Sequence, residues 1–182
     1  MEHADPVTYP LWYALRDLSR SHAKNPAWRV LPGEGFEVFT PMTRRVFVEK
    51  GCRVSREVPF MQDLLFVHEA RERLDRVVER MANLQYRFAR GGYRVPVTVP
   101  EADMERFIRA VSGHAFPRYY RPEEITPGML GRYVRIVGGH LDGYEGRLLS
   151  VRGSKRRRLL VELPNFLTAA VEVSPDLVEI VE

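Results

Sequence analysis

Residues 131–151, GRYVRIVGGHLDGYEGRLLSV, decide the reading of the C-terminal part of the chain. Val134 and Ile136 alternate with Arg135, and Gly138-Gly139 breaks the run. Asp142-Gly143 turns the chain, and Gly146 opens a second run in which Leu148 and Ser150 face one way, Leu149 and Val151 the other. Alternation of period two split by a glycine turn predicts strand, turn, strand. The glycines permit positive φ or a close chain approach that a Cβ would block.

Arg135-Ile136 followed by Gly139, Gly143, Glu145-Gly146 and Val151 resembles a KOW motif, a short module of transcription elongation and ribosomal proteins. The resemblance implies a small SH3-like barrel that touches RNA, ribosome or polymerase partners.

A chain of 182 residues is long enough for one sizeable domain or two small ones. Net charge is +4, and of the 28 basic residues all but Lys24, Lys50 and Lys155 are arginine. Arginine suits planar phosphate and carboxylate recognition better than lysine does. Cys52 is the only cysteine, so no internal disulfide framework forms, which suits a reducing cytoplasm. The N-terminal MEHADPVTYP lacks a basic-then-apolar signal, and no apolar run reaches the length of a membrane span. The expectation is a soluble, cytoplasmic monomer.

Along the chain, the aromatic and apolar run from Leu11 to Leu15 predicts a buried strand. Asn25-Pro26 reads as an N-cap and first helical proline, with Ala27, Trp28, Val30 and Leu31 following before Pro32-Gly33. Residues 36–39 predict a strand, and the charged arm 44–58 a hairpin turning near Lys50-Gly51. Pro59-Phe60-Met61-Gln62-Asp63 bends the chain into a central strand over 64–67. Leu74, Val77, Val78 and Met81 fall at i, i+3, i+4 and i+7, one apolar helix face, with Glu69/Arg73 and Glu72/Arg76 as i, i+4 pairs outside. Met104, Phe107, Ile108 and Val111 repeat that spacing, with acids early, arginines late and Gly113 at the end, as the helix dipole favours. Between these helices, residues 85–90 alternate as a strand that Gly91-Gly92 closes.

The order predicts an α+β protein: a ferredoxin-like βαββαβ domain over 9–115, a proline-containing linker over 116–126, and an all-β domain of five strands over 127–182. Trp12-Tyr13-Ala14-Leu15, Phe39-Thr40-Pro41, Pro59-Phe60 running into the 64–67 strand, and the KOW stretch together resemble NusG-type transcription elongation factors. The resemblance covers roughly residues 11–182. Met61-Gln62-Asp63-Leu64 stands where that family commonly writes a Phe-Pro-Gly-Tyr-like turn. With Gly139-His140 and Gly143-Tyr144-Glu145-Gly146, it is more similar to the UpxY-type antiterminators of capsular polysaccharide operons. The resemblance implies an N-terminal (NGN) domain docked on the polymerase clamp over non-template DNA, and a barrel free to recruit a further protein. Nascent RNA is a further implied partner.

A docking face needs aromatic and apolar anchors within a polar rim. Trp12, Tyr13, Phe60, Met61 and Leu64 lie at strand starts near one sheet edge and could supply it. For Trp12 and Leu64 ordinary core is the favoured reading, whereas Phe60 and Met61 sit in a bend beside Pro59. The candidate polymerase-binding residues are Tyr13, Phe60, Met61 and Leu64. A nucleic-acid track needs basic side chains spaced to meet phosphates. Residues 71–94 hold seven arginines against Glu72, Asp75 and Glu79, and Arg73, Arg76 and Arg80 are the candidate contacts. The alternative is a solvated, salt-bridged helix face. The family's variable DNA-reading position falls near Asp75-Arg76.

In the C-terminal domain, residues 132–158 hold eight basic residues and two acids, whereas 162–182 hold five acids and no base. Lys155, Arg156, Arg157 and Arg158 form a basic turn, either solubilising or bound to nucleic acid or an acidic protein face. Catalytic readings fare poorly. His3, His22, His68, His114 and His140 are scattered without metal-ligand spacing, and no Gly-x-x-x-x-Gly-Lys phosphate loop occurs. No enzyme activity, metal or cofactor is expected. The competing class is a ribosome-associated or free RNA-binding protein sharing only the barrel, which would leave the Phe60-Met61 bend and the 44–58 arm unexplained.

Overall fold

The computed structural model describes residues 9–113 and 117–181. The N-terminal stretch 1–8, the expected domain–linker join at 115–116, and Glu182 lie outside the described residues. The chain is mixed α and β, mostly sheet, in two compact units that divide between Glu101 and Ala102.

The first unit runs β1 (Leu11–Asp17), α1 (Ala27–Gly33), β2 (Glu37–Phe39), β3 (Met42–Glu49), β4 (Cys52–Pro59), β5 (Leu65–Glu69), α2 (Arg71–Arg80), β6 (Leu84–Tyr86) and β7 (Thr98–Val99). Its sheet has the antiparallel order β2-β5-β1-β6, and β7 pairs with β1 as well. Strand β1 is therefore central. Trp12, Tyr13, Ala14 and Leu15 are all buried, as a strand covered on both faces requires. On one face Tyr13, Leu15, Leu65 and Val67 meet Leu31 of α1 and Leu74 and Val77 of α2. Each fully buried leucine there contributes roughly 2 kcal/mol of transfer free energy.

Helix α2 follows its apolar spacing, and Glu69 accepts the Ala70 amide just before it at 2.9 Å. Helix α1 begins at Ala27, one residue after the expected Pro26, and Asn25 does not cap it. Pro26 is the N-cap residue and offers no side-chain acceptor, and Pro32 lies in the last turn rather than beyond it. The Ala27 amide instead donates at 2.6 Å to the Asp17 carboxylate at the end of β1. Strands β3 and β4 form a separate two-stranded sheet. Lys50 and Gly51, at φ 49° and 81°, make its two-residue turn, the twist that hairpin strands prefer.

The second unit holds α3 (Glu101–Ser112) apart from its first residue, then β8 (Arg118–Tyr120), β9 (Leu130–Ile136), β10 (Glu145–Leu149), β11 (Arg158–Leu163), β12 (Leu167–Glu172) and β13 (Val178–Ile180). Its sheet order is β13-β9-β10-β11-β12-β8. Helix α3 groups with the C-terminal strands. Within the expected linker 116–126, Arg118, Tyr119 and Tyr120 pair with β12 as an edge strand. The prolines flank that strand, so no ladder hydrogen bond is lost to them. The strand ends at Leu149 after a register shift between Arg147 and Leu149, and the Ser150 amide donates to the Met129 carbonyl at 2.8 Å. A Cβ on Gly146 would lie 2.9 Å from the Leu160 carbonyl oxygen, so β11 crosses β10 where only glycine fits.

Asp17, 2% exposed, also accepts the Ser19 amide at 2.9 Å and Asn83 Nδ2 at 3.1 Å. Asp17→Ala leaves the buried Ala27 amide without this acceptor, while Asn83 Nδ2 keeps its bond to Ser19 Oγ at 2.7 Å. It is expected to lower unfolding free energy by roughly 3 kcal/mol in urea titration, with Asp17→Asn recovering part of the loss. A loss under about 1 kcal/mol would show that the carboxylate does not hold the unit together.

Candidate partner-binding surfaces

The bend after β4 is pinned at several atoms. The Phe60 amide donates to the Pro41 carbonyl at 2.8 Å, and the Leu64 amide to the Met61 carbonyl at 3.2 Å. Gln62 Nε2 donates to the Ser19 carbonyl at 2.7 Å, and Asp63 accepts Arg87 at 3.0 Å with Arg16 at 3.7 Å. Phe60 and Met61 are half-buried on this rigid bend. Tyr13 and Leu64, expected beside them, are 4% and 1% exposed. Tyr13 is buried on the central strand β1, and Leu64 just before β5. Burial raises the Tyr13 hydroxyl pKa above its ordinary value, partly offset by Arg71.

The α2 arginines are unequal. Arg73 pairs with Glu69 and lies over the Phe36 ring at 4.3 Å. Arg80 pairs with Glu34, forty-six residues away. Arg76 is exposed between them. Asp75 points inward enough to accept the Tyr86 hydroxyl at 2.7 Å. Burial, reinforced by that bond, pushes the Tyr86 pKa strongly upward and keeps it a donor.

The basic turn lies between β10 and β11, as expected. Arg156 reaches Glu172 of β12 at 3.3 Å, and Arg158 opens β11 directly opposite Glu172. Lys155 and Arg157 are exposed. In the same unit the β9–β10 loop holds α3. The Tyr144 hydroxyl donates to the Arg106 carbonyl at 2.8 Å, and His140 Nε2 lies 2.5 Å from the Arg109 carbonyl. Arg106 returns a bond to the Glu145 carbonyl at 2.8 Å. This attachment was not legible locally, since it joins segments more than thirty residues apart.

His68 stacks on Trp12 at 4.9 Å, 2.9 Å from Glu37 and 3.1 Å from Glu101. His68 Nε2 is buried and makes no hydrogen bond, the approach of Glu101 included. Among the described residues no group of three or more His, Cys, Asp or Glu side chains could hold a metal ion, and no helix is long and apolar enough to cross a membrane.

The family model described as transcription termination factor NusG matches residues 10–108, more than half of the chain. The chain belongs to the NusG family. The matched region of this NusG-family chain includes β1, the pinned bend, α2 and most of α3. No curated protein matches the chain. Among solved structures, one of Thermotoga maritima NusG, described for its domain interaction, is similar at 16% identity and a TM-score of 0.49, over 95% of this chain and 98% of that one.

Core and bend residues separate in stability. Leu64→Ala is expected to cost about 2–5 kcal/mol in chemical denaturation, as for a buried leucine, whereas Met61→Ala should cost about 1 kcal/mol or less. Equal costs would mean that Met61 is as much a core residue as Leu64.

Proposed function

We propose that this NusG-family chain is an elongation factor that docks on the RNA polymerase clamp through its N-terminal unit and promotes readthrough of a polysaccharide biosynthesis operon. The observation that carries the polymerase reading is the pinned bend, which offers half-buried Phe60 and Met61 on rigid backbone inside the family-matched region. An anchor presented this way loses little conformational freedom on binding. Readthrough rather than termination is supported by Met61-Gln62-Asp63-Leu64 at the bend and by Gly139-His140, the features similar to UpxY-type antiterminators.

In this reading Arg76, exposed on α2, meets non-template phosphate, and Arg73 and Arg80 join when their glutamates release them. The C-terminal strands act as an SH3-like KOW barrel that recruits a further partner through the turn 155–158. The protein works as a cytoplasmic, non-enzymatic monomer without cofactor.

Copurification tests the class: polymerase on the tagged protein supports the proposal, and ribosomes instead would overturn it in favour of the RNA-binding alternative. Phe60→Ala is expected to weaken polymerase binding by roughly 1–3 kcal/mol with the fold intact. Unchanged affinity would reject Phe60 as an anchor. In a readthrough assay, Arg156→Glu with Arg157→Glu should abolish readthrough while polymerase still copurifies. Wild-type readthrough in that variant would place the recruiting surface elsewhere.

A further inference from the structure

Strands β3 and β4 stand as a sheet of two, so each has one edge that no other strand covers. Residues 44–49 of β3, RRVFVE, are exposed at every position. Val46 is 64% exposed, Phe47 39% and Val48 73%. Among the described residues, no backbone hydrogen bond joins 45–49 to anything but β4. An exposed apolar strand edge is a template for pairing with another chain. The two-residue turn makes Glu49–Cys52 the hydrogen-bonded pair that closes the hairpin. Bonded pairs alternate from there, so Phe47–Val54 and Arg45–Arg56 also bond inward. The amides and carbonyls of Val46 and Val48 therefore point out along the open edge.

The two open edges differ in chemistry. On β4 the outward positions are Arg53, Ser55 and Glu57, with Pro59 at the end, a charged and proline-stopped edge that resists pairing. On β3 they are valines. The β3 sequence is also complementary to itself when reversed, with Arg45 at one end, Glu49 at the other and Phe47 midway. Run antiparallel to a copy about Phe47, it sets each Arg45 opposite Glu49 of the other chain, and each Val46 opposite Val48. A shift of two residues either way sets Phe47 opposite a charge, Arg45 in one direction and Glu49 in the other. Within one hairpin, Arg45 lies directly opposite Arg56, a like-charge pair that disfavours the sheet. Arg56 is relieved by Glu49 at 2.7 Å, whereas Arg45 has no acid partner among the described residues. A second copy supplies one, since a carboxylate has two oxygens and can accept both arginines.

We propose that the open edge of β3 is a self-association edge, pairing antiparallel with β3 of a second copy of this chain in a register centred on Phe47. The two-fold axis stands perpendicular to the joined sheet, so Val46 and Val48 exchange ladder hydrogen bonds and the two Phe47 rings meet on one face. Such a contact uses the same surface on both chains and closes at two. The joined sheet, β4-β3-β3-β4, leaves only the charged edges of β4 outside. It also passes the size, about three strands, at which a sheet becomes independently stable. With only residues 44–49 in contact, the pair falls well short of the roughly 20–30 residues a side of a stable interface, so it is weak and dissociates on dilution. The inference goes beyond the proposed function and does not rest on it. In that reading, the monomer that docks on polymerase is the dissociated form.

The full-length chain is followed by sedimentation equilibrium from low micromolar to about 1 mM, the range of weak association. The mass should rise from 21.1 kDa toward twice that value and stop there. Arg45→Glu and Glu49→Arg should each weaken the dimer roughly tenfold, and the two together should restore it by exchanging the charges. Arg45→Glu also removes the like-charge pair within the hairpin, so its loss of association does not come from a weaker fold. Disulfide trapping reads the register. In a Cys52→Ser background, Phe47→Cys should cross-link two chains on oxidation, because non-hydrogen-bonded partners lie about 4.5 Å apart between Cα atoms. Val48→Cys, which falls opposite Val46 of the other chain, should not. A single-chain mass at every concentration would overturn the pairing and leave the edge to a strand of a different protein. Growth beyond two chains would overturn the two-fold arrangement. Association untouched by Arg45→Glu, or equal trapping at positions 47 and 48, would overturn the β3 register.

Discussion

A buried carboxylate at the end of the central strand holds the first unit together. Asp17 terminates β1, and its two oxygens take the first amide of α1, the Ser19 amide and the Asn83 side chain just before β6. A charge removed from water must be met by several donors or it destabilises the fold. Here the donors come from three different segments, so satisfying Asp17 requires strand end, helix start and the approach to β6 to converge. The helix supplies amide dipoles in place of a cation. With β1 and α1 fixed at one corner, the leucines of α1 and α2 can close over Tyr13, Leu15, Leu65 and Val67.

The centrality of β1 explains which site residues change meaning. Aromatic residues at a strand start look alike in sequence whether the strand is an edge or the middle of a sheet. Tyr13 is core because β5 lies on one side of β1, with β6 and β7 on the other. That order depends on pairings between residues fifty or more positions apart, such as Leu11 with Glu69. Both amphipathic helices were legible, because their 3.6-residue spacing and their packing ask for the same residues. The β3–β4 hairpin was legible for a similar reason, its turn chemistry agreeing with its flanks.

What stayed hidden shares a physical cause. The two residues of β7 and the three of β8 are too short to show a period, and each exists because a longer strand offers an open ladder. Pro26 before α1 looked like a helix entry with a local Asn25 cap, yet the acceptor came from ten residues upstream. The attachment of α3 to the β9–β10 loop joins a helix's carbonyls to a histidine and a tyrosine that carry no local helix-capping signal. In contrast, Gly146 announced itself, since a glycine inside an alternating run implies a close backbone approach, and the Leu160 carbonyl is that neighbour.

The ion pairs on α2 and on the basic turn bear directly on recognition. Arg73, Arg80 and Arg156 each have a glutamate partner, which at first counts against a role in binding anions. All three guanidinium side chains remain at least half exposed, at 50%, 59% and 68%. Exposed pairs of this kind contribute only about 0–1 kcal/mol, because water and salt screen them. Phosphate is a competing acceptor of the same bidentate geometry, and binding it also releases condensed counterions. Glu172, 51% exposed, therefore costs little to displace from Arg156, whereas Glu69, 17% exposed, holds Arg73 more firmly. Asp63 holds Arg87 differently: that guanidinium is 23% exposed and also bonds the Asp63 carbonyl at 3.1 Å, so it stays a structural brace. The division between structural and recruitable arginines thus follows burial and not the presence of a partner.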